Sequence, residues 1–406
     1  MDTQPIRLHP NMLPGLVLAI QETLNGTTAP ANLLKSCFRK HPNWGARDRK
    51  LVGRLYFDWL RWWRLYQYIS GHPLEHPTFD PFLLLTAWSA HQNEKLPNWK
   101  EFDSIPQETF QLRYKEALSE RVLQASIPDW LDDLGVKFFG VESWNDQLQE
   151  LNRPAKLCLR VNRLKTSAKQ VHEFLEKTFG LRGEIQTEEG IVLNTHLAIE
   201  SSEGFKKGWF EIQDINSQKV AHWLAPQPGE KVLDACAGGG GKSLHLAQLM
   251  NNQGHILAED LYSEKLKRLQ QRAQRNGISI IKIARSQSNP QLQAAFDRVL
   301  LDVPCTGIGV LKRNPAAKWQ MNPERLEKIT QIQAELLQKN AKRVKPEGIL
   351  LYVTCSLLEP ENRLQIHKFL ESSIGKEYIL EEEFQELPAS SGFDGFYGAR
   401  LRRVKG

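Results

Sequence analysis

The chain has 406 residues, of which 41% are hydrophobic and 25% charged. This length suffices for two or three domains with their own cores, and the composition excludes wholesale disorder. With 53 Lys and Arg against 47 Asp and Glu the formal net charge is +6, which permits a polyanionic partner without requiring one. No apolar run approaches the roughly 20 residues of a membrane span, and the first ten residues lack a secretory pattern. We therefore expect a cytoplasmic protein that has no membrane partner.

Five cysteines are spread along the chain, namely Cys37, Cys158, Cys236, Cys305 and Cys355. Their odd number and the lack of a C-x-x-C pair argue against a disulfide framework and against a structural zinc site. We therefore expect no bound metal, and we expect any functional cysteine to act as a thiol. Cys37 and Cys158 lie in patterns typical of buried core residues.

Residues 10–144 repeat apolar side chains every three to four positions, which predicts an all-helical domain over residues 1–150. Eight of the 11 Trp lie there, among many cations. Such a mixture suits RNA, because cations meet phosphates and rings stack on unpaired bases. A helical stripe is first a packing face, however, so we expect most of these Trp in the core. The cations are Lys35, Arg39, Lys40, Arg47, Arg49, Lys50, Arg54, Arg61 and Arg64.

Two changes of pattern follow the helical region. Asn152-Arg153-Pro154 marks a boundary, and the alternation over residues 157–162 predicts a strand within a small α+β segment, residues 151–215. From residue 216 to 406, strand-like runs alternate with helical patterns, which predicts an α/β domain with a mostly parallel sheet. The predicted strands are 231–233, 255–258, 280–284, 298–301 and 349–353, and the predicted helices are 243–250, 263–275 and 323–344.

The first strand of the α/β domain runs into a glycine-rich turn, residues 234–243, and then into a helix. Glycines let the backbone approach a ligand closely, and the helix N-terminus offers N–H groups. Residues 241–243 match the end of a phosphate-binding P-loop, but Cys236 stands where its leading glycine is required. The next strand ends at Asp260, where a doubly wound domain places an acid on ribose hydroxyls, with Glu259 as the alternative. The turn and the acid together are compatible with two ligands, a dinucleotide or S-adenosylmethionine. The turn lacks the spacing G-x-G-x-x-G that is expected for dinucleotides.

Two later strands each end in a cysteine. Cys305 follows Asp302 and Pro304, and Cys355 lies between Thr354 and Ser356. The carboxyl ends of the strands are where this class of sheet binds its ligands. We therefore expect the two thiols to converge on one substrate.

These segments together resemble the RNA cytosine-C5 methyltransferases of the Nol/Nop/Sun family. The resemblance covers residues 155 to the C-terminus and implies a Rossmann-like class I S-adenosylmethionine-dependent methyltransferase domain, residues 216–406, after an RRM-like α+β segment. The N-terminal helices are similar to the NusB-like RNA-binding domain of the bacterial Sun or Fmu branch. The motifs are FEIQDINSQ (210–218), DACAGGGGK (234–242), DVPCTGIGVLKRNP (302–315), TCS (354–356) and DGFYGARLRR (394–403).

The resemblance implies a role for each motif residue. Cys355 matches the nucleophile that adds to C6 of cytosine, and Cys305 matches the cysteine that helps to release the methylated base. Asp302 matches the acid that holds the cytosine edge and the charge that develops on the ring. The residues that match the S-adenosylmethionine site are Cys236, Ala237, Gly238, Gly239, Gly240, Gly241, Lys242, Asp260 and Asp302.

The implied partner is RNA, a cytidine of small-subunit ribosomal RNA, with transfer RNA as the alternative. Because Lys312, Arg313 and Lys318 follow Cys305 closely, we expect them to contact phosphates. The cations of residues 265–275 equally suit a solvated helix face. We expect a monomer.

The chain departs from the family pattern at two places. Residues 278–296 hold no Asp or Glu, although the family usually carries an acid there near the adenine. Either Ser286, Gln287 or a backbone carbonyl replaces that acid, or the cofactor binds more weakly than is usual in the family. Gly238-Gly239 stands where Ala-Pro is common, which makes the turn more flexible.

Two other functions remain open at this point. In a DNA cytosine-C5 methyltransferase, Cys305 would be the nucleophile, and the additional Cys355 argues against that. A non-catalytic RNA-binding or ribosome-assembly factor could keep the fold, and the retention of both cysteines and Asp302 argues against it.

Overall fold

The computed structural model describes residues 6–26, 28–194, 197–285 and 294–404. They form two compact units. The first contains the chain up to Arg153 together with Leu311–Pro323, and the second contains Pro154–Val310 together with Glu324 onward. The sequence pattern did not assign residues 311–323 to the helical part of the chain.

The first unit is helical, and its described residues contain no strand. Apolar stripes on its helices meet in a core where the side chains of Trp59 and Trp88 are fully buried, and Trp144 on α9 is fully buried as well. Trp44 and Trp63 are buried as well, so the prediction that most of these Trp are core residues is confirmed. Its helices before residue 153 are α1 (Leu13–Asn25), α2 (Pro30–Lys40), α3 (Ala46–Arg61), α4 (Trp63–Ile69), α5 (Pro81–Gln92), α6 (Gln107–Ala117), α7 (Arg121–Gln124), α8 (Asp129–Phe139) and α9 (Val141–Leu151).

The second unit begins with a small antiparallel sheet, which confirms the predicted α+β segment. Its strands are β1 (Leu157–Val161), β2 (Glu184–Ile185), β3 (Gly190–Leu193) and β4 (Phe210–Ile212). They lie in the order β2-β3-β1-β4. Helix α10 (Ala168–Phe179) begins with a capping box made by Ser167 and Gln170, and it buries Val171 and Leu175 against the sheet. Cys158 on β1 is fully buried, as predicted.

The second sheet has the predicted Rossmann-like α/β architecture. Its strands are β5 (Lys231–Asp234), β6 (His255–Asp260), β7 (Ile281–Arg285), β8 (Phe296–Asp302), β9 (Val344–Thr354), β10 (Tyr378–Glu386) and β11 (Phe396–Arg403). Their order is β10-β11-β9-β8-β5-β6-β7. Strands β5 to β9 pair in parallel, and β11 is antiparallel to both of its neighbours. All five predicted strands of this domain are confirmed.

The remaining helices lie in both units. They are α11 (Glu203–Lys206), α12 (Ile215–Leu224), α13 (Gly241–Leu249), α14 (Ser263–Asn276), α15 (Ala317–Gln320), α16 (Pro323–Ala341), α17 (Arg363–Glu371) and α18 (Pro388–Ser391). Of these, α15 lies in the first unit. None of the described helices is long and apolar enough to cross a membrane.

The strand order fixes where a ligand can bind. The chain runs from β5 to β6 on one side, whereas β8 pairs with the opposite edge of β5. This reversal opens a crevice at the carboxyl ends of β5 and β8. The glycine-rich turn follows β5, Asp302 ends β8, and Cys355 follows β9, so the candidate residues gather at this end of the sheet.

Candidate active site

The two candidate cysteines meet at the ends of neighbouring parallel strands. Asp302 pairs with Val353 in the register of β8 and β9, so the residues that follow both strands leave the sheet at the same level. The Sγ atoms of Cys305 and Cys355 are 3.2 Å apart. The contact with Cys355, together with burial, raises the pKa of the Cys305 thiol well above its usual value. Cys305 therefore keeps its proton at neutral pH and can donate it.

A lysine and an aspartate form an ion pair beside these thiols. Lys242 Nζ lies 2.6 Å from Asp302 Oδ2. Burial alone would lower the pKa of Lys242, but the adjacent Asp302 carboxylate outweighs it and raises the pKa. Lys242 also interacts electrostatically with Cys355, and its ammonium lies 5.2 Å from the ring centre of Phe396. The site thus holds a permanent positive charge near the Cys355 sulfur.

One buried carboxyl group, that of Glu361, joins the two cysteine loops. Its Oε1 accepts from Thr306 N at 2.8 Å and from Gln333 Nε2 at 3.1 Å. Its Oε2 accepts from Thr306 Oγ1 at 2.5 Å and from Ser356 Oγ. Burial raises the pKa of Glu361. Because Thr306 follows Cys305 and Ser356 follows Cys355, this group fixes the spacing of the two thiols.

A close backbone contact supports the same geometry. Gly309 N donates to Cys355 O at 2.9 Å, and Gly395 N donates to Gly309 O at 2.7 Å. A Cβ atom at Gly309 would lie 2.5 Å from Gly395 O and 2.8 Å from Cys355 O. Only glycine allows this approach.

The glycine-rich turn is shaped by its neighbours. Gly238 and Gly240 have φ of +55° and +84°, which favours glycine. Gly238 N donates to Asp260 Oδ2 at 2.9 Å. Glu259 instead forms a two-pronged ion pair with Arg343, at 2.7 and 2.8 Å. The structure therefore favours Asp260 over Glu259 as the acid at the turn.

Two more groups at the turn have perturbed acidity. Burial raises the pKa of Asp234 to about 7, although Ser243 Oγ donates to its Oδ2 at 2.6 Å. Burial, together with nearby carboxylates, raises the pKa of Cys236. Cys236 is therefore a protonated thiol at neutral pH. Ser286 and Gln287, considered above for adenine recognition, lie outside the described residues.

Two of the three lysines and arginines expected to contact RNA are internal, which corrects that expectation. Lys318 is 1% exposed, and its ammonium donates to the carbonyl oxygens of Arg61, Ala125 and Ser126 and to Asn152 Oδ1. Lys312 is 4% exposed and forms an ion pair with Glu150. Both side chains serve the core of the helical unit, to which residues 311–323 belong. Arg313 is exposed.

Replacing Lys318 with alanine is expected to lower the free energy of unfolding of the helical unit by about 3 kcal/mol, because four buried oxygen atoms each lose the hydrogen bond that Lys318 donates. Urea unfolding of the full chain, followed by tryptophan fluorescence, measures this change. Lys115→Ala, which removes an exposed lysine of α6, is the matched control and should change stability by less than about 0.5 kcal/mol. Equal stability of the two variants would contradict a structural role for Lys318.

The cations of the helical unit divide into two groups. Arg61 and Arg64 are internal: Arg61 donates to Leu151 O and Lys312 O, and Arg64 donates to Ile127 O. The other seven are exposed on α2 and α3: Lys35, Arg39, Lys40, Arg47, Arg49, Lys50 and Arg54. The aromatic rings among them mostly pack inward. This surface offers charges to a polyanion.

Among the described residues, Glu189, His222 and His245 form a group that could hold a metal ion. Both histidine Nε2 atoms lie beside the same Glu189 oxygen, at 2.6 and 2.7 Å. Burial, together with the nearby Arg160 cation, lowers the pKa of His245 to about 4. Because that cation also opposes a divalent ion, we assign no metal to the cluster.

Sequence reasoning missed Glu361 and Gly309. Neither has a local signature: Glu361 lies in an ordinary acidic stretch, EPEN (359–362), and Gly309 lies in a run of small and apolar residues. Their importance comes from contacts that join segments about 50 residues apart.

Two family models match parts of the chain. A family model described as 16S rRNA methyltransferase RsmB/F matches residues 221–402, and a model of the ferredoxin-like domain of RsmF/B-like methyltransferases matches residues 127–200. The second match agrees with the small antiparallel sheet.

Two curated relatives carry related descriptions. The chain is 38% identical over 257 residues to a probable ribosomal RNA small subunit methyltransferase B of Synechocystis, with 61% of this chain and 57% of the relative covered. It is 32% identical over 284 residues to ribosomal RNA small subunit methyltransferase B of Vibrio cholerae, with 68% and 65% covered. The matches thus span less than two thirds of the length of these relatives.

A solved structure shares the fold along almost the whole chain. A protein described as PH0851 superposes with a TM-score of 0.82 and 24% identity, covering 98% of this chain and 100% of that protein. At this identity the likeness concerns the fold.

Proposed function

We propose that this chain is a member of the RsmB/F family of 16S rRNA methyltransferases. In this proposal it is an S-adenosylmethionine-dependent RNA cytosine-C5 methyltransferase that modifies a cytidine of small-subunit ribosomal RNA. The observation that carries this proposal is the pair of thiols, Cys305 and Cys355, 3.2 Å apart beside Asp302. Two thiols at one site suit a reaction that must both form and break a bond between enzyme and base.

The chemistry needs a nucleophile because C5 of cytosine is itself a poor one. The Cys355 thiolate adds to C6 and forms a carbon–sulfur bond, which moves electron density to C5. S-adenosylmethionine supplies the methyl group that C5 takes, leaving S-adenosylhomocysteine. Loss of the C5 proton to a base and rupture of the C6–S bond then restore the ring and release the Cys355 thiolate.

The surrounding residues support these roles. Lys242 is held charged by Asp302, and a nearby cation stabilises a cysteine thiolate. Asp302 hydrogen-bonds the cytosine edge and so positions the base for addition. Cys305, whose pKa is raised, enters the reaction as a thiol and assists release of the methylated base. These assignments make Cys355 the nucleophile and Cys305 its helper.

The spacing of the thiols is expected to depend on Glu361. In Glu361→Ala, the Thr306 and Ser356 hydroxyls lose their shared acceptor, so the cysteine loops shift and methyl transfer slows by about 100-fold. The rate is measured at saturating S-adenosylmethionine and RNA. Glu359→Ala, two residues earlier, removes a carboxylate that faces Arg363 and should keep near-normal activity. Similar losses in both variants would contradict the spacing role.

The exposed cations of α2 and α3 are the RNA surface we propose in place of Lys312 and Lys318. Arg47→Ala with Lys50→Ala removes two phosphate contacts, so RNA affinity is expected to fall about tenfold and the slope of log K against log salt by about 1.4. Filter binding at several salt concentrations measures both quantities. Lys169→Ala with Lys177→Ala removes two exposed cations of α10 and is the matched control. Affinity that does not change with salt would contradict an electrostatic RNA interface.

The target base must be unpaired or flipped out, because C6 cannot reach a thiol in a pocket from within a duplex. The direct test is transfer of labelled methyl from S-adenosylmethionine to unmodified small-subunit ribosomal RNA, followed by identification of the nucleoside. We expect 5-methylcytidine at one site. Transfer only to transfer RNA or only to DNA would overturn the substrate, and no transfer to any nucleic acid would favour a non-catalytic binding factor.

A further inference from the structure

Two carbonyl groups of the glycine-rich turn accept hydrogen bonds from arginine side chains. Arg272 Nη1, on α14, donates to Gly239 O at 2.6 Å. Arg160 Nη1, on β1, donates to Gly241 O at 2.6 Å. Charge-assisted bonds of this length are strong, and they hold both ends of this peptide segment in place.

A single carboxylate, Glu211 on β4, orients Arg272. Its Oε2 accepts from Arg272 Nη2 at 2.9 Å, while Oε1 accepts from Arg275 Nη2 and from Asn276 Nδ2, the latter at 2.6 Å. Glu211 is 2% exposed. Burial alone would raise its pKa, but Arg272 and Arg275 outweigh burial and lower it. Glu211 is therefore ionised at neutral pH and holds the C-terminal half of α14 by three donors.

The residue that binds Gly241 O and the carboxylate that orients Arg272 lie side by side in the small sheet. Arg160 and Glu211 are register partners on the antiparallel strands β1 and β4. Arg160 is fully buried, and it also donates to Gln213 Oε1 just beyond β4. Arg160, Glu211 and Gln213 all precede the stretch 221–402 that matches the methyltransferase family model.

The turn needs such support because of its composition. Residues 238–241 are four consecutive glycines, and a glycine chain has more conformations to lose than any other when it is ordered around a ligand. A segment held in its bound shape beforehand does not lose that entropy on binding. Fixing the Gly239 and Gly241 carbonyls also fixes the direction of the N–H groups of Gly240 and Lys242, which share their peptide planes.

We propose that Arg272 and Glu211, aided by Arg160, are positioning residues that hold the glycine-rich turn in the shape that binds S-adenosylmethionine. The small sheet is then part of the cofactor site and not only a neighbouring fold. The inference rests on the proposed function in taking the turn as the cofactor site.

The test is calorimetric titration of the full-length chain with S-adenosylmethionine and with S-adenosylhomocysteine. Arg272→Gln is expected to raise Kd for both by about tenfold. Glu211→Gln should raise Kd by a smaller factor, because Arg272 keeps its bond to Gly239 but loses its orienting charge. The double variant should bind no more weakly than Arg272→Gln alone, because the two residues act as one unit. Arg268→Gln, an exposed arginine one turn earlier on α14, is the matched control and should leave Kd unchanged.

Three results would overturn the proposal, and a fourth would bear only on the proposed function. Unchanged Kd in Arg272→Gln, with only the unfolding transition lowered, would mean that the arginine merely stabilises the fold. Independent, multiplying effects of Glu211→Gln and Arg272→Gln would mean that they do not act together. A wild-type chain that binds neither compound would remove the cofactor site itself. A wild type that binds them but forms no 5-methylcytidine would contradict the proposed function alone.

Discussion

Cys355→Ala is expected to abolish methyl transfer, with a rate at least about 10³-fold below that of the wild type, because no other group can form the bond to C6. Cys305→Ala is expected to fail differently. Its Cys355 still adds to the base and the methyl group still transfers, but release slows, so protein joined covalently to RNA accumulates. Methyl transfer to labelled RNA and denaturing gel electrophoresis distinguish the two defects.

The reason for the difference lies in the surroundings of the two cysteines. Contact with Cys355 and burial keep Cys305 protonated, whereas Cys355 lies near the Lys242 ammonium. Cys37→Ala makes the same chemical change in the helical unit and should retain full activity. If Cys355→Ala stayed active and Cys305→Ala were dead, the nucleophile would be Cys305, as in the DNA enzymes.

Asp302→Asn is expected to reduce methyl transfer by about 10² to 10⁴-fold. The amide keeps the shape of the side chain, but it loses the charge that pairs with Lys242 and the carboxylate that hydrogen-bonds the cytosine edge. The measurement is the single-turnover rate at saturating RNA and S-adenosylmethionine, together with the cofactor Kd, because Asp302 also borders the proposed cofactor site.

Asp297→Asn is the control for this change. Asp297 lies near the start of the same strand, β8, and forms a 2.6 Å ion pair with Lys345. Its replacement removes an equivalent ion pair far from the carboxyl end of the sheet and should leave the rate within about twofold of the wild type. Equal losses in both variants would mean that Asp302 acts only on stability.

The parallel sheet and the meeting of the cysteine loops could be predicted from sequence because their signals are local. Buried parallel strands read as short apolar runs, and each candidate residue stands where such a run ends. Because the carboxyl ends of parallel strands lie at one edge of the sheet, the sequence was then sufficient to predict that Cys305 and Cys355 meet. The edge strand β10 was not predicted, since its sequence, YILEEEFQE, is charged and only one of its faces packs on the core.

The long-range roles of charged side chains could not be predicted from sequence. Lys318 and Lys312 are common surface residue types close to Cys305 along the chain, and only the path of residues 311–323 into the helical unit buries them. Arg272 has the same local pattern as exposed Arg268. It differs because it forms an ion pair with Glu211, 61 residues away, and donates to Gly239 O in the glycine-rich turn.

The central claim is that Cys355 bonds to the cytosine during methylation. Its most direct test incubates Cys305→Ala with S-adenosylmethionine and unmodified small-subunit ribosomal RNA, digests protein and RNA, and maps the joined nucleotide by peptide mass spectrometry. We predict a methylated cytidine nucleotide attached to the peptide that contains Cys355. A nucleotide attached to another cysteine, or free 5-methylcytidine formed at the wild-type rate with no attached peptide, would contradict the claim.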